Sequence, residues 1–315
     1  MKVIKIHHPM ADSLQFSEPV VLAMGFFDGI HLGHQQVIKT AVNRAKQLGI
    51  KAAVLTYDHH PQVVYKRLDE HDRRYLTLPE QKFQLLEQLG VDQVFLINYS
   101  YAFQDQTPAE FIQNYLVRFN AQVVVAGFDH TYGEKQIATM ERLPEFSQGR
   151  FEIITVPKLQ QQAQKVSSTA IKESLDSGNV TSVNKMLGRN FTTIGTVVHG
   201  EQVGRTIGYP TINVEHNPLQ WLPTIGIYVV RVKIGEVWYQ GMASIGKNVT
   251  FYNDHPVTVE INLLDFKQNV YGEVVTVEWL KYLRGEEKFA SVEELIDQLQ
   301  VDEQNTRQFF GTNSN

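Results

Sequence analysis

The chain has 315 residues, room for about two domains of ordinary size that each bury their own core. Hydrophobic residues make up 43% and charged residues 20%, a globular composition, and the net charge of −5 contains no block of like charge. No basic excess marks a nucleic-acid footprint, the lack of cysteine excludes disulfides and thiolate metal sites, and no apolar run approaches membrane-spanning length. Residues 1–13 carry charges and histidines where a signal peptide needs an apolar stretch. The expectation is a cytoplasmic protein with small-molecule partners, no nucleic acid and no membrane; oligomeric state is not legible.

In chain order, residues 20–24 form an apolar run that predicts a buried strand, followed by a helical pattern at 36–48. Further strands are predicted at 52–57, 93–97, 123–126 and 151–156, alternating with amphipathic helices. Two helix starts, Thr77-Leu78-Pro79-Glu80 and Thr107-Pro108-Ala109-Glu110, fit a capping box with proline in the first turn, and Gly90 suits a helix end. The alternation predicts an α/β domain with a doubly wound parallel sheet, which binds ligands beyond the carboxyl ends of its strands. Residues 168–187 read as two short helices, and the boundary is set near Gly188, giving domains 1–187 and 188–315. Beyond it, strand-length β-branched and aromatic runs at 192–198, 227–233, 237–244, 257–264 and 274–282 predict a small antiparallel barrel. A terminal helix starts at the capping-box sequence Ser291-Val292-Glu293-Glu294.

The sequence Gly-Phe-Phe-Asp-Gly-Ile-His-Leu-Gly-His at residues 25–34 joins the first strand to its helix. A strand, a glycine-punctuated turn and a helix start together deliver backbone N–H groups to an anion. His31 and His34 can donate hydrogen bonds to phosphoryl oxygens; the same spacing also serves a surface pair or half of a zinc site. Three more polar loops fall at the same predicted sheet edge or precede a helix: Thr56 to Pro61, Gly127 to Gly133, and Val166 to Lys172.

Residues 25–34 resemble the nucleotidyltransferase superfamily signature. With the other three loops in this order, the first half resembles the FMN adenylyltransferase module of prokaryotic bifunctional riboflavin kinase/FAD synthetases. The resemblance implies that His31 and His34 stabilise the transferring α-phosphate. It implies ATP contacts at Gly25, Phe27, Asp28, Gly29, Gly33, Ser168 and Thr169, nucleotide-contacting positions at Asp129 and Lys172, and flavin contacts at His60 and Pro61. The sequence departs from the family at Lys172, usually arginine, at His59, usually proline, and in residues 134–140, where a glycine is missing. These departures imply slower or differently regulated adenylylation.

In the second half, Gly200, Gly204 and Gly208 recur at every fourth position around Arg205. Such glycines let backbone amides approach an anion, Arg205 can fork onto phosphate, and Thr211 and Asn213 offer oxygens suited to Mg²⁺; a glycine-rich barrel turn is the plainer reading. Gly-Arg-Thr-Ile-Gly-Tyr-Pro-Thr-x-Asn is similar to the riboflavin kinase signature, and Val259-Glu260, Leu264-Asp265-Phe266 and Tyr271-Gly272 continue it. Alternation along 257–264 puts Glu260 on the face of Thr258 and Asn262, opposite Val257, Val259, Ile261 and Leu263. The resemblance makes Glu260 the general base for the ribityl 5′-hydroxyl and Arg284 a flavin-side contact, and it departs from the family at Lys247-Asn248-Val249-Thr250. The implied enzyme makes FMN from riboflavin and FAD from FMN, with ATP as co-substrate and Mg²⁺ as cofactor. The alternatives are a kinase with a weak or inactive adenylyltransferase domain, and a non-catalytic flavin-binding regulator.

Overall fold

The apolar run Val20–Met24 is buried along its whole length, as a strand covered by helices on both faces must be. In the computed structural model, which describes residues 1–161, 164–200, 202–247 and 257–312, the chain divides into two units, Met1–Ser168 and Thr169–Asn315. The first unit holds strands β1 (Lys2–Ile6), β2 (Val20–Met24), β3 (Lys51–Tyr57), β4 (Gln93–Ile97), β5 (Ala121–Gly127) and β6 (Glu152–Val156). They form one parallel sheet in the order β1-β4-β3-β2-β5-β6. Its helices are α1 (Leu32–Leu48), α2 (Gln62–Tyr65), α3 (Pro79–Gln88), α4 (Tyr101–Gln104), α5 (Pro108–Phe111) with a π-helical continuation Ile112–Val117, and α6 (Leu143–Ser147). A two-residue ladder pairs β7 (Gln160–Gln161) with β8 (Gln164–Lys165).

Two apolar cores cover the two faces of the sheet. Val37, Ile38 and Ala41 of α1 and Leu86 of α3 pack on Val21, Ala23, Val54 and Val94. On the other face, Phe95, Phe103, Phe111, Tyr115 and Phe119 form an aromatic layer. The chain winds from β2 to β3 and β4 in one direction and resumes at β5 on the other side, so β2 and β5 flank a topological switch point. Loops from the carboxyl ends of neighbouring strands converge at such a crevice. The loops after β2, β3 and β5 are the motif-bearing ones.

Three details differ from the sequence reading. β1 was not expected, because a five-residue edge strand with two lysines shows too little apolar pattern. The Thr107–Glu110 capping box forms as read, with Glu110 Oε2 accepting the Thr107 N–H at 2.8 Å. The one at Thr77 does not: Leu78 is the N-cap of α3, and Gln81 Oε1 accepts its N–H at 3.1 Å. The Thr77 hydroxyl instead accepts the Gly29 N–H at 3.0 Å.

The second unit begins within α7 (Ser168–Asp176) and continues with α8 (Val180–Leu187), so the two helices placed with the first domain by sequence fall in this unit from Thr169 onward. Next come β9 (Phe191–Val198), α9 (Val203–Thr206), β10 (Ile212–His216), β11 (Gly226–Ile234), β12 (Val237–Lys247), β13 (Val257–Leu263) and β14 (Val274–Arg284). These six strands close an antiparallel barrel in the order β10-β13-β12-β11-β14-β9. β9 alternates buried and half-buried residues in strict period two, the pattern of a wall with one face on a core. β10 is not among the strands expected from sequence; it pairs with β9 and β13 and closes the barrel. Helix α10 (Val292–Thr312) follows, its Glu294 N–H bonded to Ser291 Oγ at 3.2 Å. The Glu294 carboxylate reaches the Ala290 N–H at 2.8 Å, one residue further back than the box predicts. Glu201 and positions 248–250 of the expected flavin-side loop lie outside the described residues. Among the described residues no helix is long and apolar enough to cross a membrane.

Candidate active sites

The turn after β2 is held in an unusual backbone shape. Phe27 and Ile30 have φ of +55° and +39°, a region that costs a non-glycine residue about 1–2 kcal/mol, and Gly29 has φ of +82°. A Cβ on Gly29 would stand 2.9 Å from Leu76 Cδ1, so glycine is required there sterically as well. The shape persists because bonds from outside the turn over-determine it. Asp28 Oδ1 accepts the N–H groups of Leu76 at 2.9 Å and Thr77 at 3.2 Å. Thr56 Oγ1 and Lys82 Nζ each donate to the Phe26 carbonyl at 2.9 Å. Ser168 Oγ donates to the Asp28 carbonyl at 2.9 Å.

His31 is the N-cap of α1, and its Nδ1 accepts the His34 N–H at 3.2 Å. That bond places the lone pair on Nδ1, so the neutral ring carries its proton on Nε2. The two imidazoles stack with centroids 3.6 Å apart, and Phe27 meets the His34 ring edge-on at 5.3 Å. A Cβ on Gly33 would touch the His31 ring at 3.2 Å. Burial, then the neighbouring His31 and Lys82, holds His34 well below the ordinary histidine range. The pair is therefore a set of neutral donors at a helix N-terminus, suited to an anion.

Other expected residues are placed variously. Gly25 donates its N–H to Leu55 O at 3.1 Å and cannot carry a Cβ without meeting the Phe27 ring. The His60 ring packs edge-on against Phe26 at 5.1 Å, and Pro61 opens α2. Asp129 follows β5 with its side chain exposed. Asp28 was expected to touch nucleotide; its carboxylate is instead buried and engaged by backbone amides. Thr169 is exposed. Lys172 was expected at phosphate, yet its Nζ stands 4.7 Å over the Trp221 ring, both residues belonging to the second unit.

In the barrel unit, Gly204 must lack a Cβ because the Tyr209 carbonyl occupies that space, and the Asn213 side chain does the same to Gly200. The sequence reading assigned these glycines to an anion; the fold already requires them for close self-approach. Gly208 has φ of +86° and open space around it. Asn213 lies opposite Glu260 across the β10–β13 ladder, and Glu260 Oε2 accepts from Thr211 Oγ1 at 3.4 Å. Arg205 is exposed and donates to Tyr271 OH at 3.4 Å, while Tyr271 stacks on His199 with centroids 3.7 Å apart.

Two cavities meet at Thr211. One, of about 490 Å³, is bordered by Arg205, Thr211, Ile261, Leu263 and Tyr271. The other, of about 210 Å³, is bordered by Thr211, Ser244, Glu260, Asn262, Leu299 and Asp302. Strand β13 sorts them by its period of two, with Ile261 and Leu263 on one cavity and Glu260 and Asn262 on the other. Arg284, expected as a flavin contact, is held by Asp302 instead: its Nε lies 3.1 Å from both carboxylate oxygens and its Nη2 2.7 Å from Oδ2. Sequence reasoning missed Lys82, Thr77 and Ser244, which look like ordinary polar positions of an amphipathic helix, a helix start and a strand.

Residues 13–170 match the FAD synthetase family and residues 187–310 the riboflavin kinase family. A Listeria monocytogenes protein named bifunctional riboflavin kinase/FMN adenylyltransferase is 42% identical over 98% of each chain. A Bacillus subtilis protein of the same name is 38% identical, again over 98% of each. A solved Streptococcus pneumoniae structure described as a macrolide-efflux protein is 36% identical with a TM-score of 0.89, covering 98% of this chain and 99% of that one.

Proposed function

The chain belongs to the bifunctional riboflavin kinase/FMN adenylyltransferase family, and from that premise we propose which residues perform its two ATP-dependent reactions. The enzyme phosphorylates riboflavin to FMN and adenylylates FMN to FAD. We assign the kinase to residues 188–315, in keeping with the riboflavin kinase match from residue 187, and the adenylyltransferase to residues 1–187. The efflux description belongs to the Streptococcus relative and is not carried over. A cytoplasmic location, where ATP and flavins meet, is part of this reading.

In the kinase, the observation that carries the assignment is the junction of two cavities at Thr211 beside Glu260. The larger cavity, with Arg205 at its border, takes ATP; the smaller, lined by apolar residues of the barrel and α10, takes the flavin end of riboflavin. Glu260 removes the proton of the ribityl 5′-hydroxyl as that oxygen attacks the γ-phosphorus, and ADP leaves. Thr211 and Asn213, with the Glu260 carboxylate beside them, form a set of hard oxygen donors that fits Mg²⁺. When bound, the ion neutralises charge on the phosphates.

In the adenylyltransferase, the FMN phosphate attacks the α-phosphorus of ATP and pyrophosphate leaves. His31 and His34 donate from Nε2 to the α-phosphoryl oxygens as charge builds there, and the N–H groups at the start of α1 add to that field. Ser168 holds the turn through the Asp28 carbonyl. His60 and Pro61 border the flavin side.

The test is separation of the two activities by chromatography of FMN and FAD. Glu260→Gln is expected to slow FMN formation roughly 10²- to 10⁴-fold while FAD formation from supplied FMN is retained. His31→Ala with His34→Ala is expected to reverse that pattern. Loss of both activities in either folded variant would overturn the assignment.

A further inference from the structure

We propose that Lys82 is a positioning residue for adenylyl transfer, its ammonium fixing the Phe26 carbonyl and with it the turn that receives the triphosphate. The proposal rests on the adenylyltransferase reading of the first unit.

Lys82 sits on α3, outside every motif of the reaction, and only 5% of it is exposed. Its Nζ donates to Phe26 O at 2.9 Å and stands 4.4 Å over the Phe26 ring. A carbonyl and a ring face are weak compensation for removing an ammonium from water. Methionine has similar length and would fill the space without that cost. The charge must therefore act on something nearby. It lies under residue 26, immediately before the left-handed Phe27, and beside two groups of the same turn and helix start: Asp28 braces the turn, and His34 is kept neutral partly by Lys82. A fixed positive charge under a phosphate-receiving turn also strengthens its field for an anion.

The titratable groups facing Lys82 are Asp28 on the turn, His34 on α1, Lys5 on β1, Tyr57 on β3, Asp58 after it, Tyr75 before α3 and Glu80 on α3 itself. Lys5, Tyr57, Asp58, Tyr75 and Glu80 border the same cavity of about 250 Å³. Burial lowers the Lys82 pKa to about 8, with Asp28 opposing. Loss of the proton above that pH removes both the field and the firm hold on Phe26.

The experiment uses the full chain and measures kcat/KM for FAD formation from FMN and ATP between pH 6.5 and 9.5, with Tm alongside. The parent is expected to lose activity as pH rises through about 8. Lys82→Met is expected to lower the plateau at least tenfold, to abolish that alkaline limb, and to keep or raise Tm, since a buried charge is gone. Lys82→Arg cannot titrate in this range, so its activity is expected to stay level to pH 9.5 even if Lys82→Met folds poorly. Activity within twofold of the parent in Lys82→Met, or an alkaline limb that survives in either variant, overturns the proposal. Riboflavin phosphorylation is the internal control and is expected to be unchanged. A parent that makes no FAD at all would defeat the adenylyltransferase reading itself, a result distinct from failure of the Lys82 assignment.

Discussion

The two glycine-bearing motif loops of this chain reach unusual backbone shapes by opposite means. The barrel loop uses glycine: Gly200 and Gly204 make room for the Asn213 side chain and the Tyr209 carbonyl, and Gly208 supplies a positive φ. The turn after β2 puts Phe27 and Ile30 into left-handed conformations and holds them there with Asp28, Thr56, Thr77 and Lys82. A glycine loop carries its reason in its own sequence. A braced turn depends on residues 30 to 56 positions away. The first is therefore more legible, and the second is more vulnerable to distant substitution.

The largest stability effect expected from sharpening this comparison lies away from both loops. Arg284→Met leaves Asp302, 1% exposed, without its guanidinium, and should cost about 3–5 kcal/mol. Calorimetry should show a lowered Tm, and riboflavin affinity should fall with it because Asp302 borders the smaller cavity on α10. Direct recognition of flavin by Arg284 would instead reduce affinity with Tm unchanged.

Asp28→Ala comes next. It strands two buried N–H groups, of Leu76 and Thr77, at about 1–3 kcal/mol each, and should abolish FAD formation while FMN formation continues. Asp28→Asn keeps a carbonyl oxygen for those amides and should retain most of the activity. Equal damage by both variants would show that the carboxylate charge is needed by the nucleotide, as the sequence reading held. The smallest effect should come from Gly208→Ala, where only conformation opposes the methyl group. About 1 kcal/mol and a KM for ATP raised a few-fold in the kinase assay are expected. A larger loss would mean that the Gly208 backbone touches the phosphates.

Most of the architecture was readable, for physical reasons. Buried strands such as β2, and β4 after its Gln93, are continuous apolar runs, and the bounds of both agree with the sequence reading. The barrel strands alternate, and five of the six are located within a few residues at each end. β1 and β10 escaped because one is a short charged edge strand and the other grows out of a glycine-rich loop. The residues proposed for the chemistry, His31, His34, Thr211, Asn213 and Glu260, are legible because they sit within short contiguous motifs. Asp28 and Arg284 were given ligand roles because a charged residue inside or near a motif reads the same whether it meets substrate or braces the fold. Lys82 was invisible for the converse reason: an amphipathic helix permits lysine almost anywhere outside its apolar stripe, and only the packing of α3 buries this one.

The division of labour along β13 has a consequence for how the gene can change. Side chains of this strand serve opposite compartments in strict turn, so a single inserted or deleted codon upstream within the ladder would invert every assignment at once. Ile261 would face the acceptor alcohol, and the carboxylate of Glu260 would face the nucleotide. Changes that preserve phosphorylation must therefore be substitutions, or length changes in even steps.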